Sequence, residues 1–172
     1  DRRLCEGDVA GARAFYNRLL EQEPDNALVA ARLAMVDVLD DSLRDTARAL
    51  LEEAAARRPE RTDVAAASAH GAALAGDAPA ECAALETLFE TGLVPERLAA
   101  GLELGALLEE RDPKAAIRWY EAALNARRED ARALGGLLRL HARRGDAESV
   151  RRLVPRWIAV HRGPGARAEA HL

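Results

Sequence analysis

Residues 104–130 read LGALLEERDPKAAIRWYEAALNARRED. Their centre is a helix start: Asp112 is a side-chain cap, and Pro113 falls at the first helical position, where a missing amide costs nothing. Leu104-Gly105 lies before that start. Ala116-Ile117, Trp119-Tyr120 and Ala123-Leu124 follow at helical spacing. Arg111-Asp112-Pro113 sits halfway between two of the Gly-Asp dipeptides Gly7-Asp8, Gly76-Asp77 and Gly145-Asp146, which are separated by 69 residues each time. Asp40-Asp41-Ser42 sits halfway between the first two, so the underlying period is about 34 to 35 residues. A fixed period of that length predicts stacked units rather than one globular core. Such arrays usually present a surface rather than run chemistry.

Outward from this stretch the same beat recurs. Upstream, Gly7 is expected to end one helix in the left-handed conformation, with Asp8 capping the next. Ala12, Tyr16 and Leu19 follow at helical spacing, and Pro24 closes that helix. Leu28, Leu33, Val36 and Leu39 mark the next helix. Ser42 with Asp45 reads as a capping box opening the one after, whose inward stripe is Ala47, Leu51 and Ala54. Pro24, Pro59 and Pro95 keep the period. A third unit runs from Thr62-Asp63, turns at Gly76-Asp77 and ends at Gly92 to Pro95. Downstream, Leu134, Leu137, Leu138 and His141 precede Gly145-Asp146, and Val150, Val154 and Trp157 follow.

These blocks resemble the tetratricopeptide repeat, above all 104–130; the block at 7–26 resembles its second half, with small residues and an aromatic in that helix and Pro24 at the end. The resemblance covers roughly residues 1–161. It implies an all-α, right-handed solenoid of antiparallel helix pairs, a superhelix of about nine helices. The expected organisation is a half repeat at 1–25, repeats at about 26–60, 61–95, 96–129 and 130–161, and a linker or tail at 162–172. Too few residues precede Gly7 for a leading helix, so the array is expected to continue upstream in a larger bacterial protein.

Composition bounds the function. Alanine, leucine, arginine and glutamate dominate and aromatics are 3%, which favours helices at close approach over one deep core. The net charge of −4 and pI of about 5.7 lack the basic balance of a nucleic-acid binder, and no stretch approaches the roughly 18 apolar residues of a membrane span. Cys5 and Cys82 are in no ligand spacing and read as small buried hydrophobes. His70, His141, His161 and His171 form no zinc motif, and neither a nucleophile elbow nor a phosphate loop is present. Glu109-Glu110 and Glu129-Asp130 are adjacent acids that point apart on a helix, so a solvated face accounts for them. Catalysis, cofactor and metal are therefore not expected. Trp119-Tyr120 reads as packing between helices.

What the resemblance implies about partners is a protein or peptide held in the concave groove made by each repeat's first helix. The implied groove residues are Leu28, Arg32 and Met35; then Asp63 and His70; then Leu102, Glu103, Ala106 and Glu109; and finally Arg132, Gly136, Arg139 and Arg143. The spacing of Arg132, Arg139 and Arg143 places them on one helix face, which would favour a carboxylate or phosphate, hence an acidic segment, on the partner. Gly135-Gly136 costs helix stability, and either a partner backbone or a tight neighbouring helix would account for it. Two narrower expectations are a periplasmic array in an exopolysaccharide-secretion or envelope-assembly protein, and an array attached to a thioredoxin-like or transferase enzyme.

Overall fold

A computed structural model describes residues 8–40 and 42–162. The expectations placed on Cys5, Gly7, Asp41, His171 and the tail from Gly163 lie outside the described residues. Among those described there are nine α-helices and no strand: α1 Val9–Gln22, α2 Ala27–Asp37, α3 Arg44–Arg57, α4 Thr62–Ala75, α5 Ala78–Thr91, α6 Val94–Leu108, α7 Pro113–Ala126, α8 Ala131–Arg143 and α9 Ala147–Arg162.

Local chemistry sets the boundaries. Asp8, Asn26, Asp112 and Asp130 accept backbone amides of the helices they open, as with Gly11 N to Asp8 Oδ1 at 2.8 Å. Gly76 and Gly145 stand at φ of 71° and 70°, the left-handed geometry that closes α4 and α8. Asp77 and Asp146 then cap α5 and α9 through the amides of Ala80 and Ser149.

Four local expectations fail, the first at Leu39, which lies past the end of α2 and is exposed. Ser42 and Asp45 form no capping box: Ser42 donates both its amide and its hydroxyl to Asp40 Oδ1, and the cap residue Leu43 offers no side-chain acceptor. Pro95 opens α6 instead of closing α5, because a proline is tolerated wherever an amide already lacks a helical partner. In α9 the residue turned fully inward is Leu153, while Val154 is exposed.

The chain forms two compact units, Asp1–Thr91 and Gly92–Leu172. In the first, α1 to α5 each pack on the next, and α2 also packs on α4; α3 and α5 do not touch. The second repeats the scheme, with α6 on α8 and no contact between α7 and α9. First helices therefore form one wall in each unit, and second helices splay apart.

The two cores differ in bulk. The first unit packs Ala30, Ala31, Ala34, Ala47, Ala54 and Ala67 around Leu51 and Val64, beside a small cluster of Ala12, Tyr16, Leu33 and Val36. The second packs Leu98, Leu102, Leu134, Leu137, Leu140 and Leu153 around Ile117, Tyr120 and Leu124. Each fully buried leucine contributes about 1.5–3 kcal/mol, several times what an alanine methyl can. Cys82 on α5 is half-buried rather than core.

The Gly135-Gly136 pair is resolved by the ring of Tyr120. A Cβ on Gly136 would collide with that ring, whereas one on Gly135 would make an ordinary 3.5 Å contact with Trp157 Nε1. Gly136→Ala is thus expected to cost about 1–3 kcal/mol through overpacking. Gly135→Ala should instead stabilise by roughly 1 kcal/mol through helix propensity. Urea unfolding of the two variants checks the opposite signs, and a like sign for both rejects the assignment.

Candidate functional site

In the first unit, α2 carries Leu28, Arg32 and Met35, and α4, which packs on α2, carries Asp63 and His70. Arg32 and His70 are exposed, while Leu28, Met35 and Asp63 are half-buried. Asp63 is engaged by a two-point contact with Arg61, Nε to Oδ1 at 2.9 Å and Nη2 to Oδ2 at 2.5 Å. That hydrogen bonding, against some desolvation, holds its carboxyl below the ordinary value. Leu74, four residues after His70, adds an exposed apolar side chain that sequence reasoning missed. Its signal was the i, i+4 spacing on a helix face.

The second unit's wall is α6 and α8. Glu103, Ala106, Arg132, Arg139 and Arg143 are exposed there. Leu102 and Gly136 are not available to a partner. Leu102 belongs to the core, because its helix face meets α7 and α8, and Gly136 is buried under the Tyr120 ring. The glycine is explained by a neighbouring helix of the same chain.

Glu109 departs furthest from its expected place on a solvated face. Its side chain is only 12% exposed, and one oxygen, Oε1, accepts the Tyr120 hydroxyl at 2.6 Å and Arg139 Nη2 at 2.5 Å. Arg143 Nη1 pairs with Glu110 Oε1, also at 2.5 Å, but in the open. Two of the three arginines on the α8 face are therefore already bound to α6-side carboxylates. Arg132 has no side-chain partner among the described residues.

Burial opposes ionisation of Glu109, yet the hydrogen bonds from Arg139 and Tyr120 outweigh it and hold the carboxyl below its ordinary range. Burial first, and then the adjacent carboxylate, push the Tyr120 hydroxyl well up, so it remains a neutral donor. Arg139 is held charged mainly by its bond to Glu109. These shifts stabilise fixed protonation states and poise no group for proton transfer near neutrality.

His141 contacts Asp146 at 3.0 Å. Asp146 sits at about 2, drawn down first by the Ser149 amide and hydroxyl and then by His141. This pairing belongs to the α8–α9 turn. Among the described residues no His, Cys, Asp or Glu group of three could hold a metal ion, and no helix is long and apolar enough to cross a membrane.

No family profile matches the chain, and no curated protein matches its sequence. Solved structures do. MamA superposes with a TM-score of 0.76 at 17% identity over 96% of both chains. YrrB, a TPR protein with an unusual peptide-binding site, gives 0.68 at 16% identity over 98% of this chain and 86% of its own. The APC/C Cut9-Hcn1 hetero-tetramer gives 0.60 at 14% identity, over 92% of this chain and 30% of that one. The fold is therefore the all-α, tetratricopeptide-like helical repeat.

Removing the Glu109 carboxylate strands a buried hydroxyl and a guanidinium. Glu109→Ala is expected to cost about 1–3 kcal/mol at neutral pH. Because the folded pKa lies below the ordinary 4.5, the carboxylate's contribution is complete above that pH and is lost as pH falls through the folded value. Urea unfolding at pH 7, 4.5 and 3 should show wild type losing its advantage over Glu109→Gln as acid is added. A pH-independent difference contradicts this.

Proposed function

We propose that the chain is a non-enzymatic protein-interaction scaffold that holds a peptide or partner protein on its first-helix faces. The observation that carries this reading is the α6–α8 face, where charge is ordered by internal bonds rather than left mobile. Arg139 and Arg143 are fixed by Glu109 and Glu110, while Arg132 stands on the same face with no side-chain partner among the described residues. Pre-paired guanidinium groups lose little freedom on meeting a partner, and the unpaired one offers a planar donor fork to a carboxylate. The partner favoured by that chemistry has an acidic segment. Likeness to YrrB, a TPR protein with a peptide-binding site, supports the same reading.

Arg132 is the discriminating position, because reversing Arg139 would also disturb Glu109 and Tyr120. Binding of a fluorescein-labelled glutamate-rich peptide to the full chain at low salt can be followed by anisotropy. Arg132→Glu should weaken it by about fivefold or more with helical circular dichroism unchanged, and added salt should weaken it further. Equal affinity for both proteins removes the acidic-partner reading.

A further inference from the structure

A cleft of about 340 Å³ opens in the first unit between α3, α4 and α5. On α4 its lining residues Ser68, Gly71, Ala72 and Ala75 turn away from Asp63 and His70, so it lies on the other side of that helix from the face discussed above. We propose that this cleft is a second docking site, taking leucine-sized side chains from a partner-protein segment that carries cationic residues beside them.

The repeat register shows what the cleft lacks. Shifting by the 69 residues that relate Gly76-Asp77 to Gly145-Asp146 sets Ser68, Gly71 and Ala84 against Leu137, Leu140 and Leu153. Those three leucines are buried in the core of the second unit. Their counterparts in the first unit line the open cleft instead. Leu51 leans in beside Gly71 and takes up part of the space; the rest remains open between α3 and α5, which do not touch. The vacancy is thus the size and chemistry of leucine side chains, at the place where the same fold elsewhere buries them.

Two further observations shape the occupant. Ser68 lines the cleft, and its hydroxyl has no hydrogen-bond partner. The lining also leans acidic. The charged side chains that line the cleft are Arg48, Glu52 and Asp77, one cation to two carboxylates, and α5 beside them carries Glu81, Glu86 and Glu90 with no lysine or arginine. At the mouth, Arg48 stands 3.5 Å from both Glu52 and Asp77, loose pairs that a partner's cation can replace. Charge complementarity therefore selects a cationic amphipathic segment, where the α8 face favours an acidic one.

The test uses the full chain and two fluorescein-labelled amphipathic peptides with leucines at helical spacing, one bearing lysines and the other glutamates. The lysine peptide should bind at least tenfold more tightly. Ser68→Leu with Ala84→Leu, which restores the leucines of the other unit, should weaken it at least tenfold. If that variant folds poorly, the exposed Glu52→Lys substitution should weaken it several-fold on its own. Backbone amide shifts on adding the lysine peptide should cluster on α3, α4 and α5, and Arg132→Glu should leave its affinity unchanged. Equal binding of both peptides, shifts clustered on α8, or retained affinity in the filled or charge-reversed variant would overturn the proposal.

Discussion

No helix here can hide its apolar stripe alone. Each is 11 to 16 residues long and much of its apolar surface is alanine, so even a complete hairpin leaves one side wet. Burial comes only when the next helix closes over it. In the second unit this closure is concentrated in one side chain. The ring of Tyr120 on α7 fills the space above Gly105 of α6 and Gly136 of α8, and its hydroxyl reaches Glu109 at the end of α6. Two glycines that weaken their own helices thereby admit a ring that joins three. The loss of helix propensity is offset by burial of a large aromatic and by a hydrogen bond that needs that close approach.

Glu109 extends the same contact to electrostatics. Its carboxylate reaches Arg139 on α8 as well as the phenol on α7, so charge, ring and backbone spacing depend on one another. The first unit has no counterpart of this arrangement among its described contacts. Its α2–α4 core is methyl on methyl, with Ala31, Ala34 and Ala47 wholly buried and Leu51 and Val64 supplying the bulk. Small side chains allow close helix approach but bury little area per contact. The second helices stand apart in both units; in the first an alanine-lined cleft is left between them, whereas Leu137, Leu140 and Leu153 fill the equivalent region of the second. A shared repeat geometry thus yields one sealed unit and one with room in it.

The features legible in the sequence are those decided within a few residues. Gly76-Asp77 and Gly145-Asp146 state a helix end and a helix start in adjacent letters, and Asp112-Pro113 does the same for α7. Ala47, Leu51 and Ala54 declare an inward stripe by spacing alone, and all three are buried. Legibility fails where the answer lies on another helix. Glu109 and Glu110 are chemically alike in the sequence; only the Tyr120 hydroxyl and Arg139, 30 residues onward, make the first an interior group and leave the second in solvent. Leu102 and Gly136 were carried to the groove by phase, and a phase error of one residue turns a helix by 100°, enough to move a side chain from wall to core. The Ser42–Asp45 box failed because Asp40 is an acceptor nearer to Ser42 than the helix amides are.

The bonds that order the α6–α8 face also limit what it can do. A guanidinium already shared with a carboxylate offers an incoming anion only its remaining donors. Arg139 and Arg143 therefore supply shape and partial charge more than net attraction. Glu103, exposed on α6, carries the opposite sign to Arg132, exposed on α8. A wall with three free arginines would bind any polyanion. With two of them paired from within, the arginine-rich face of this net-acidic chain presents less positive charge than three guanidinium groups would.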